Sequence, residues 1–571
     1  MKNHLSALGL AAIAVMSLAS CSGLKKMAKK EPTVVYTVTP CPLEMHGDSV
    51  AVTVNVTYPA KYFAKKAVLT VTPEMGGIKF KSATLLGEKA QGTGTRINYK
   101  TGGSFTYTDK VAYNASMDNA NLVVKATGQV KSKTKDMPER AICNDIKLTP
   151  QLLMNTDKVV LGADKFVKFV NRSAEGKIYY EINKSNVRPN EMKSDGMKPL
   201  NDFVALGKGK AYEFKGATIS SYASPDGEMS LNENLAEERF TSAKGAMVNM
   251  AKDKKSPLPA AQAETFYTKQ TTAEDWVGFQ DLMSKSSIKD KDIILNVLRQ
   301  YPDGEKREQE IKNIAAAYEE VARDILPQLR RSVITFNAVE YSRTDARILE
   351  LARKSPDSLS VEEILYAATL TNDMNEKLTF YKSAERMYPN DWRTWNDVGC
   401  ILLQQNKLQD AKKEFDKANS LSPNNPIVMN NLAICMRWMG DRKGAKEMLK
   451  KAGAAGPEVN YNLGIIAVQD GMYSDAVSYF GSNKDFNAAL AQVLNGDLDG
   501  ASRTLDASPD KESAMAYYLR AIIGARKGDT AMMNNNLRTA ISKDGSLKTK
   551  AAQDAEFQKY KDDSEFKSIT Q

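Results

Sequence analysis

Residues 219–250, ISSYASPDGEMSLNENLAEERFTSAKGAMVNM, read as a short strand, a tight turn and a helix. Ile219 and Tyr222 supply strand character, and Pro225-Asp226-Gly227 is turn chemistry. Ser230 and Glu233 have the spacing of a capping box, the hydroxyl accepting from a first-turn N–H and the carboxylate reaching back. Leu235, Arg239, Ala243, Ala246 or Met247, and Met250 recur at helical spacing on one face. Arg239 therefore stands in an otherwise apolar stripe. A guanidinium in that place wants an anion, either structural or a ligand.

This spacing resembles the OmpA-like C-terminal domain, the module that ties outer membranes to peptidoglycan. The family's pattern is a strand ending in Thr-Asp, then Gly, Asn, Leu and Arg. Gly227, Asn232, Leu235 and Arg239 fall on the last four. Residues 177–183 (KIYYEIN) with the turn 186–189 are similar to that domain's first strand, and 330–336 (RRSVITF) to its last. The likeness spans about 170–340, inside a domain read as 156–342 with a helical insertion at 271–329. The family's Asp falls on Ser224, and Asp226 lies two residues later.

The resemblance implies an α/β domain whose site, Ser224, Asp226, Asn232, Leu235 and Arg239, holds the zwitterionic end of diaminopimelate. The Arg would pair the ligand carboxylate, the acidic residue its ammonium, and backbone N–H groups near the helix start would assist. Ser224 can hydrogen-bond but carries no charge, so Asp226 would have to swing in. The alternative is a retired site in which Arg239 pairs with a neighbouring carboxylate. Arg330 and Arg331 are either a solvated strand end or added positive charge near the site.

The first residues speak to the compartment. Lys2 is a basic start, residues 5–18 are an apolar run too short to span a bilayer, and Leu18-Ala19-Ser20-Cys21 resembles the lipobox of bacterial lipoproteins. That implies a signal peptide over 1–20 and acylation of Cys21, which anchors the chain to the membrane. Residues 21–33 read as a lipidated, Lys-rich tether. Because the tether is basic and not acidic, the reading places the protein on the periplasmic face of the outer membrane. Cys41 and Cys143 can pair in an oxidising periplasm, and Cys400 and Cys435 read as buried small hydrophobes.

From Val34 the period becomes two. Val50, Val52, Val54 and Val56 alternate with small or polar residues, and 67–72, 100–108 and 122–130 read as further strands. A β-sandwich of immunoglobulin-like type over 34–155, acting as spacer or docking module, is expected. In the central domain, helices are expected at 190–206 and 230–251 and a third strand at 263–267. The insertion reads as helices at 274–283, 289–301 and 305–324, with Trp276, Phe279 and Leu282 in its core.

From 346 to 571 the chain is periodic. Trp395, Val398, Gly399, Leu402, Ala411, Phe415, Ala418 and Pro423 stand where the tetratricopeptide pattern places its large, small and turn residues. Met429, Leu432, Ala433, Met436, Ala445, Leu449, Ala452 and Pro457 repeat them, and Leu463, Gly464, Ala476 and Phe480 mark a third unit. Weaker units follow, and one precedes at Ala384 and Pro389. Residues 557–569 read as a polar, solvating cap.

The expected architecture is thus a β-sandwich, an OmpA-like α/β domain and an all-α tetratricopeptide solenoid. The chain's net charge of +10 favours anionic partners, but no basic run interleaves with aromatics as nucleic-acid binding would need. Its two His are His4 and His46, which removes His-paired zinc and iron sites, and no Cys pair has zinc spacing. No phosphate loop, cofactor motif or metal site is legible, and nothing points to an enzyme. Two functions remain. One is an outer-membrane lipoprotein that scaffolds envelope proteins through its repeat groove and contacts peptidoglycan. The other is an accessory subunit of a secretion, fimbrial or barrel-assembly machine whose OmpA-like site no longer binds peptidoglycan.

Overall fold

The computed structural model describes residues 23–207, 212–252 and 258–571. The apolar leader and Cys21 lie outside the described residues. The chain divides into two compact units, Met1–Gly162 with Tyr388–Gln571, and Ala163–Met387.

The first unit begins with a β-rich region. Alternation along Ser49–Tyr58 turns Val50, Val52, Val54, Val56 and Tyr58 into the core. That strand pairs antiparallel with Gly103–Ala112 over ten residues and with Val35–Thr39 on its other side. A second sheet is built around Val68–Met75 paired with Asn121–Val130. Val52 and Val54 of one sheet share a core with Leu69, Val71, Leu122 and Val124 of the other. Cys41 and Cys143 form a disulfide with Cα atoms 5.8 Å apart, 102 residues apart in sequence. The expected tether departs from its reading: residues 23–30 are helical, and Leu24 and Met27 are buried in the β core. Apolar residues three apart on a helix make a face, and this one has a core to cover.

From Tyr388 onward this unit is built of helices. Hairpins pair Trp392–Gln404 with Leu408–Leu421, Pro426–Trp438 with Arg442–Lys451, and Pro457–Gln469 with Tyr473–Phe480. Phe486–Leu494 pairs with Leu498–Asp506, and Ala514–Lys527 with Thr530–Lys543. The small residues are where the helices touch. A Cβ added at Gly399 would sit 2.6 Å from the Phe415 ring, and one at Gly464 2.8 Å from Phe480. The C-terminal end is not the few-anchored cap expected. Phe557, Phe566 and Ile569 are buried in the last repeat's core, Phe557 edge-on to Tyr518 with ring centroids 5.9 Å apart.

The second unit holds a four-stranded sheet in the order Phe169–Tyr179, Arg331–Tyr341, Tyr212–Tyr222, Tyr267–Thr272. The first three pair antiparallel with one another in that order, and the last runs parallel to Tyr212–Tyr222 after a helical crossover. Helix Met229–Lys252 packs on the sheet through Phe240, Ala243 and Met247, meeting Ile178, Ile219, Ile334 and Phe336. The first strand thus starts eight residues before the expected 177, and the strand expected at 263–267 lies at 267–272. Ser230 is already inside the helix, which begins at Met229, so it is not a cap. The helix expected from 190 is a short turn at Glu191–Lys193 followed by Lys198–Leu206, since Pro199 fits best in a first helical turn. The insertion has its own core around Phe279, Met283, Ile294 and Leu298, with Trp276 and Leu282 partly buried. Its expected last helix is broken at Ile314 into Gly304–Asn313 and Ala315–Asp324. Helices Asp345–Lys354, Val361–Thr369 and Met374–Met387 also belong to this unit, although periodicity had joined them to the repeats.

Candidate functional site

In the second unit, the strand Tyr212–Tyr222 ends beside the start of Arg331–Tyr341, with Ser221 opposite Ser332. That register delivers Arg330 to the turn after the strand. Its Nε donates to Ser224 Oγ at 3.1 Å and its Nη2 to Asp226 Oδ2 at 2.9 Å, and Ser224 Oγ donates to the other Asp226 oxygen. Ser224 and Arg330 are buried. Asn232 closes the turn by donating to Gly227 O at 3.1 Å, and Leu235 is buried one helical turn further.

Arg239 is held separately. It is 1% exposed, donates from Nε to Lys184 O at 3.0 Å and from Nη1 to Tyr222 O at 2.8 Å, and lies over the Tyr180 ring at 5.1 Å. Burial pushes its pKa down to about 10, with Arg330 also lowering it and Tyr180 and Asp226 opposing. The guanidinium remains charged at neutral pH. Ser224, Asp226 and Arg330 therefore form one cluster, while Arg239 is satisfied by carbonyls. Arg330 is thus the added positive charge near the site that one of its two sequence readings offered; its pairing with Asp226 is what sequence reasoning did not give.

The first unit carries a second arrangement that the sequence did not reveal. Residues 153–162, after the β-rich region, run without helix along one face of the repeat array, with one tight turn at Asn155 where Thr156 N–H donates to Met154 O at 2.9 Å. Asn487 accepts from Met154 N–H at 2.9 Å and donates to Met154 C=O at 2.8 Å. Asn462 does the same for Lys158, at 2.8 and 2.9 Å. Asn431 does it for Val160, at 2.9 and 2.8 Å. Asp397 accepts from Gly162 N–H at 2.7 Å. Asn430 and Asn396 tie these rungs together, donating to Lys158 C=O and Val160 C=O and to the neighbouring Asn431 and Asp397.

The four rungs occupy one column of the repeat. Asp397, Asn431, Asn462 and Asn487 each stand two residues before the small residue of their first helix, Gly399, Ala433, Gly464 and Ala489. A side-chain amide offers a donor and an acceptor side by side, which matches the outward N–H and C=O of an extended residue. Such contacts read backbone and not side chain. One side-chain anchor is added: Asp157 accepts from Arg437 and, at 2.8 Å, from Trp438 Nε1, and Arg437 reaches Asn155 Oδ1 at 3.2 Å. The expected groove is thus occupied along these rungs by the protein's own chain. Burial raises the Asp397 carboxyl to about 7, against the pull of Gly162 N–H, Asn396 and Arg393.

Among the described residues, no group of three or more His, Cys, Asp or Glu could hold a metal ion, and no helix is long and apolar enough to cross a membrane.

The tetratricopeptide repeat family matches residues 402–465, and the C-terminal region is an array of these repeats, a fold that serves protein–protein interaction. Protein FlbA of Caulobacter vibrioides is 26% identical over 219 residues, 35% of this chain and 37% of that protein. Essential for maintenance of the cell wall protein 1 of Saccharomyces cerevisiae is 30% identical over 117 residues, 20% of this chain and 12% of that one. The chain therefore spans little more than a third of the first relative and an eighth of the second. Among solved structures, a tetratricopeptide repeat protein from Parabacteroides merdae is similar with a TM-score of 0.28 and 14% identity, over 35% of this chain and 85% of that one. PilW, described as a widely conserved type IV pilus biogenesis factor, has a TM-score of 0.28 and 15% identity, over 40% of this chain and 100% of its own.

Proposed function

We propose that the protein is a non-enzymatic scaffold of the bacterial envelope, a lipoprotein anchored at Cys21 on the periplasmic side of the outer membrane, whose repeats assemble protein partners. The observation that carries it is the asparagine ladder: the array grips an extended polypeptide by its backbone. Because residues 153–162 fill those rungs, partners from the envelope dock on the remaining faces of the array. The Cys41–Cys143 disulfide supports an oxidising compartment.

The central unit, taken as an OmpA-like domain, is on this reading an accessory module with its site closed. Asp226 already pairs with Arg330, so an ammonium ligand would have to break that pair. Photocrosslinking residues placed at exposed Lys413 and Lys451 of the array should capture envelope proteins in cells, whereas one placed at buried Asn462 should capture none. Capture from Asn462 alone would overturn the arrangement.

A second reading, contact with peptidoglycan, is favoured by one observation: Arg239 carries a buried charge whose hydrogen bonds go to neutral carbonyls. Sedimentation with purified peptidoglycan decides between them. Wild type in the supernatant supports the closed site; wild type in the pellet, with folded Arg239→Ala left behind, supports the ligand role.

A further inference from the structure

The chain's charge is concentrated where its described part begins. Residues 23–162 carry 20 Lys and Arg against 11 Asp and Glu, +9 of the formal +10. The helical stretch 23–30 contributes Lys25, Lys26, Lys29 and Lys30 and no acidic residue. Helical spacing decides where these point. Leu24 and Met27 are buried in the β core, so Lys25, Lys26 and Lys29 are left exposed.

The loop beneath is basic as well. Ala64 N–H donates to Met27 Sδ at 3.4 Å, and Lys30 Nζ donates to Lys61 O at 3.1 Å. Lys61, Lys65 and Lys66, which flank Ala64, are all exposed. Of the nearby carboxylates, Glu31 is turned inward, 3.6 Å from Arg140, and Glu88 sits 3.4 Å from Lys65 while also accepting from Tyr99 N–H. The face keeps a clear positive excess.

We propose that this lysine face docks on anionic phospholipid headgroups. The inference rests on reading Cys21 as the lipid anchor: Ser22 alone separates that cysteine from the docked helix, so acyl chains in a bilayer set the face at headgroup level. Each lysine close to an anionic surface is worth about fivefold in partitioning, and acyl chains hold best when joined by such a second, electrostatic signal.

The test uses residues 21–571 carrying Cys21→Ser, which has no acyl chain, floated with phosphatidylcholine vesicles made with or without phosphatidylglycerol. Flotation is expected with phosphatidylglycerol only, and is lost in high salt. Lys25→Glu, Lys26→Glu and Lys29→Glu together should lower partitioning about 100-fold or more. The matched reversals Lys443→Glu, Lys450→Glu and Lys451→Glu, on the array, should leave it unchanged, with circular dichroism confirming that both variants fold. Equal flotation on both vesicles, no flotation on either, or equal loss in the two triple variants overturns the proposal. Palmitate labelling of the wild type reports the anchor separately. Unlabelled protein overturns the anchor even where flotation supports the face; labelled protein whose Cys21→Ser form does not float overturns the face and leaves the anchor.

Discussion

The side-chain amide of Asn462 holds both backbone groups of Lys158, accepting from its N–H at 2.8 Å and donating to its C=O at 2.9 Å, across 304 residues of chain. Asn462 is fully buried beneath the strand it holds. Lys158 C=O keeps its bond from Asn430 Nδ2, but removing the Asn462 amide takes the partner from Lys158 N–H and from the buried Asn430 Oδ1, the costly case for a hydrogen bond. Asn462→Ala should lower stability by about 2–3 kcal/mol, read as a fall in denaturation midpoint. Lys158→Ala should cost far less, because the rung reads backbone. Equal losses would show that the side chain of residue 158 matters as much as its peptide.

The rung at Asp397 gives a pH dependence. Its carboxyl is raised to about 7 by burial, so the folded protein keeps a proton that the unfolded chain gives up. This contribution is whole below the ordinary carboxylate range and is lost as pH climbs through 7. Asp397→Asn keeps an acceptor for Gly162 N–H and removes the titration. The variant should be more stable than wild type at pH 8 by about 4 kcal/mol, at about 1.4 kcal/mol per pKa unit over the rise from the ordinary carboxylate range to about 7, and no more stable at pH 4. Parallel stability curves from pH 4 to 8 would refute it.

Arg330 and Asp226 form a nearly buried ion pair, their side chains 9% and 14% exposed. Removing one partner strands the other. Asp226→Ala should destabilise the second unit by about 3 kcal/mol or more, and Asp226→Ala with Arg330→Met should recover part of that. A double variant no better than the single would mean the pair is not the main link between them.

Gly399 faces the Phe415 ring so closely that any side chain must displace it. Gly399→Leu should cost about 1–3 kcal/mol by overpacking. An unchanged thermal midpoint would place the helix contact elsewhere.

What the sequence made legible follows from physics at short range. The repeats declared themselves because Gly399 meets Phe415, and Gly464 meets Phe480, each pair within its own hairpin, so spacing alone encodes the contact. The strand patterns of the β-rich region were readable from Val50 to Val56 for the same reason. The ladder was not. Asn431, Asn462 and Asn487 look like solvent-facing polar residues until the segment they hold is known, and that segment has no periodicity of its own. Their column, two residues before the small residue, was the available clue. That Arg330 pairs with Asp226 was not legible, because strand order and not spacing brings the two together. The Lys-rich stretch after Cys21 read as a tether because charge outweighed Leu24 and Met27 in composition, although their spacing was helical.

The distances along the chain between strap and rungs have a consequence for how the molecule is made. The contacts span 235 to 333 residues, and the whole second unit is synthesised between them. A chain delivered from its amino end exposes residues 153–162 long before Asn487 exists to hold them. Until the fourth repeat emerges, that segment is an unpaired extended strand, open to proteases and to pairing with other chains. The interval sets a window of vulnerability during biogenesis, and closing the ladder is the step that ends it.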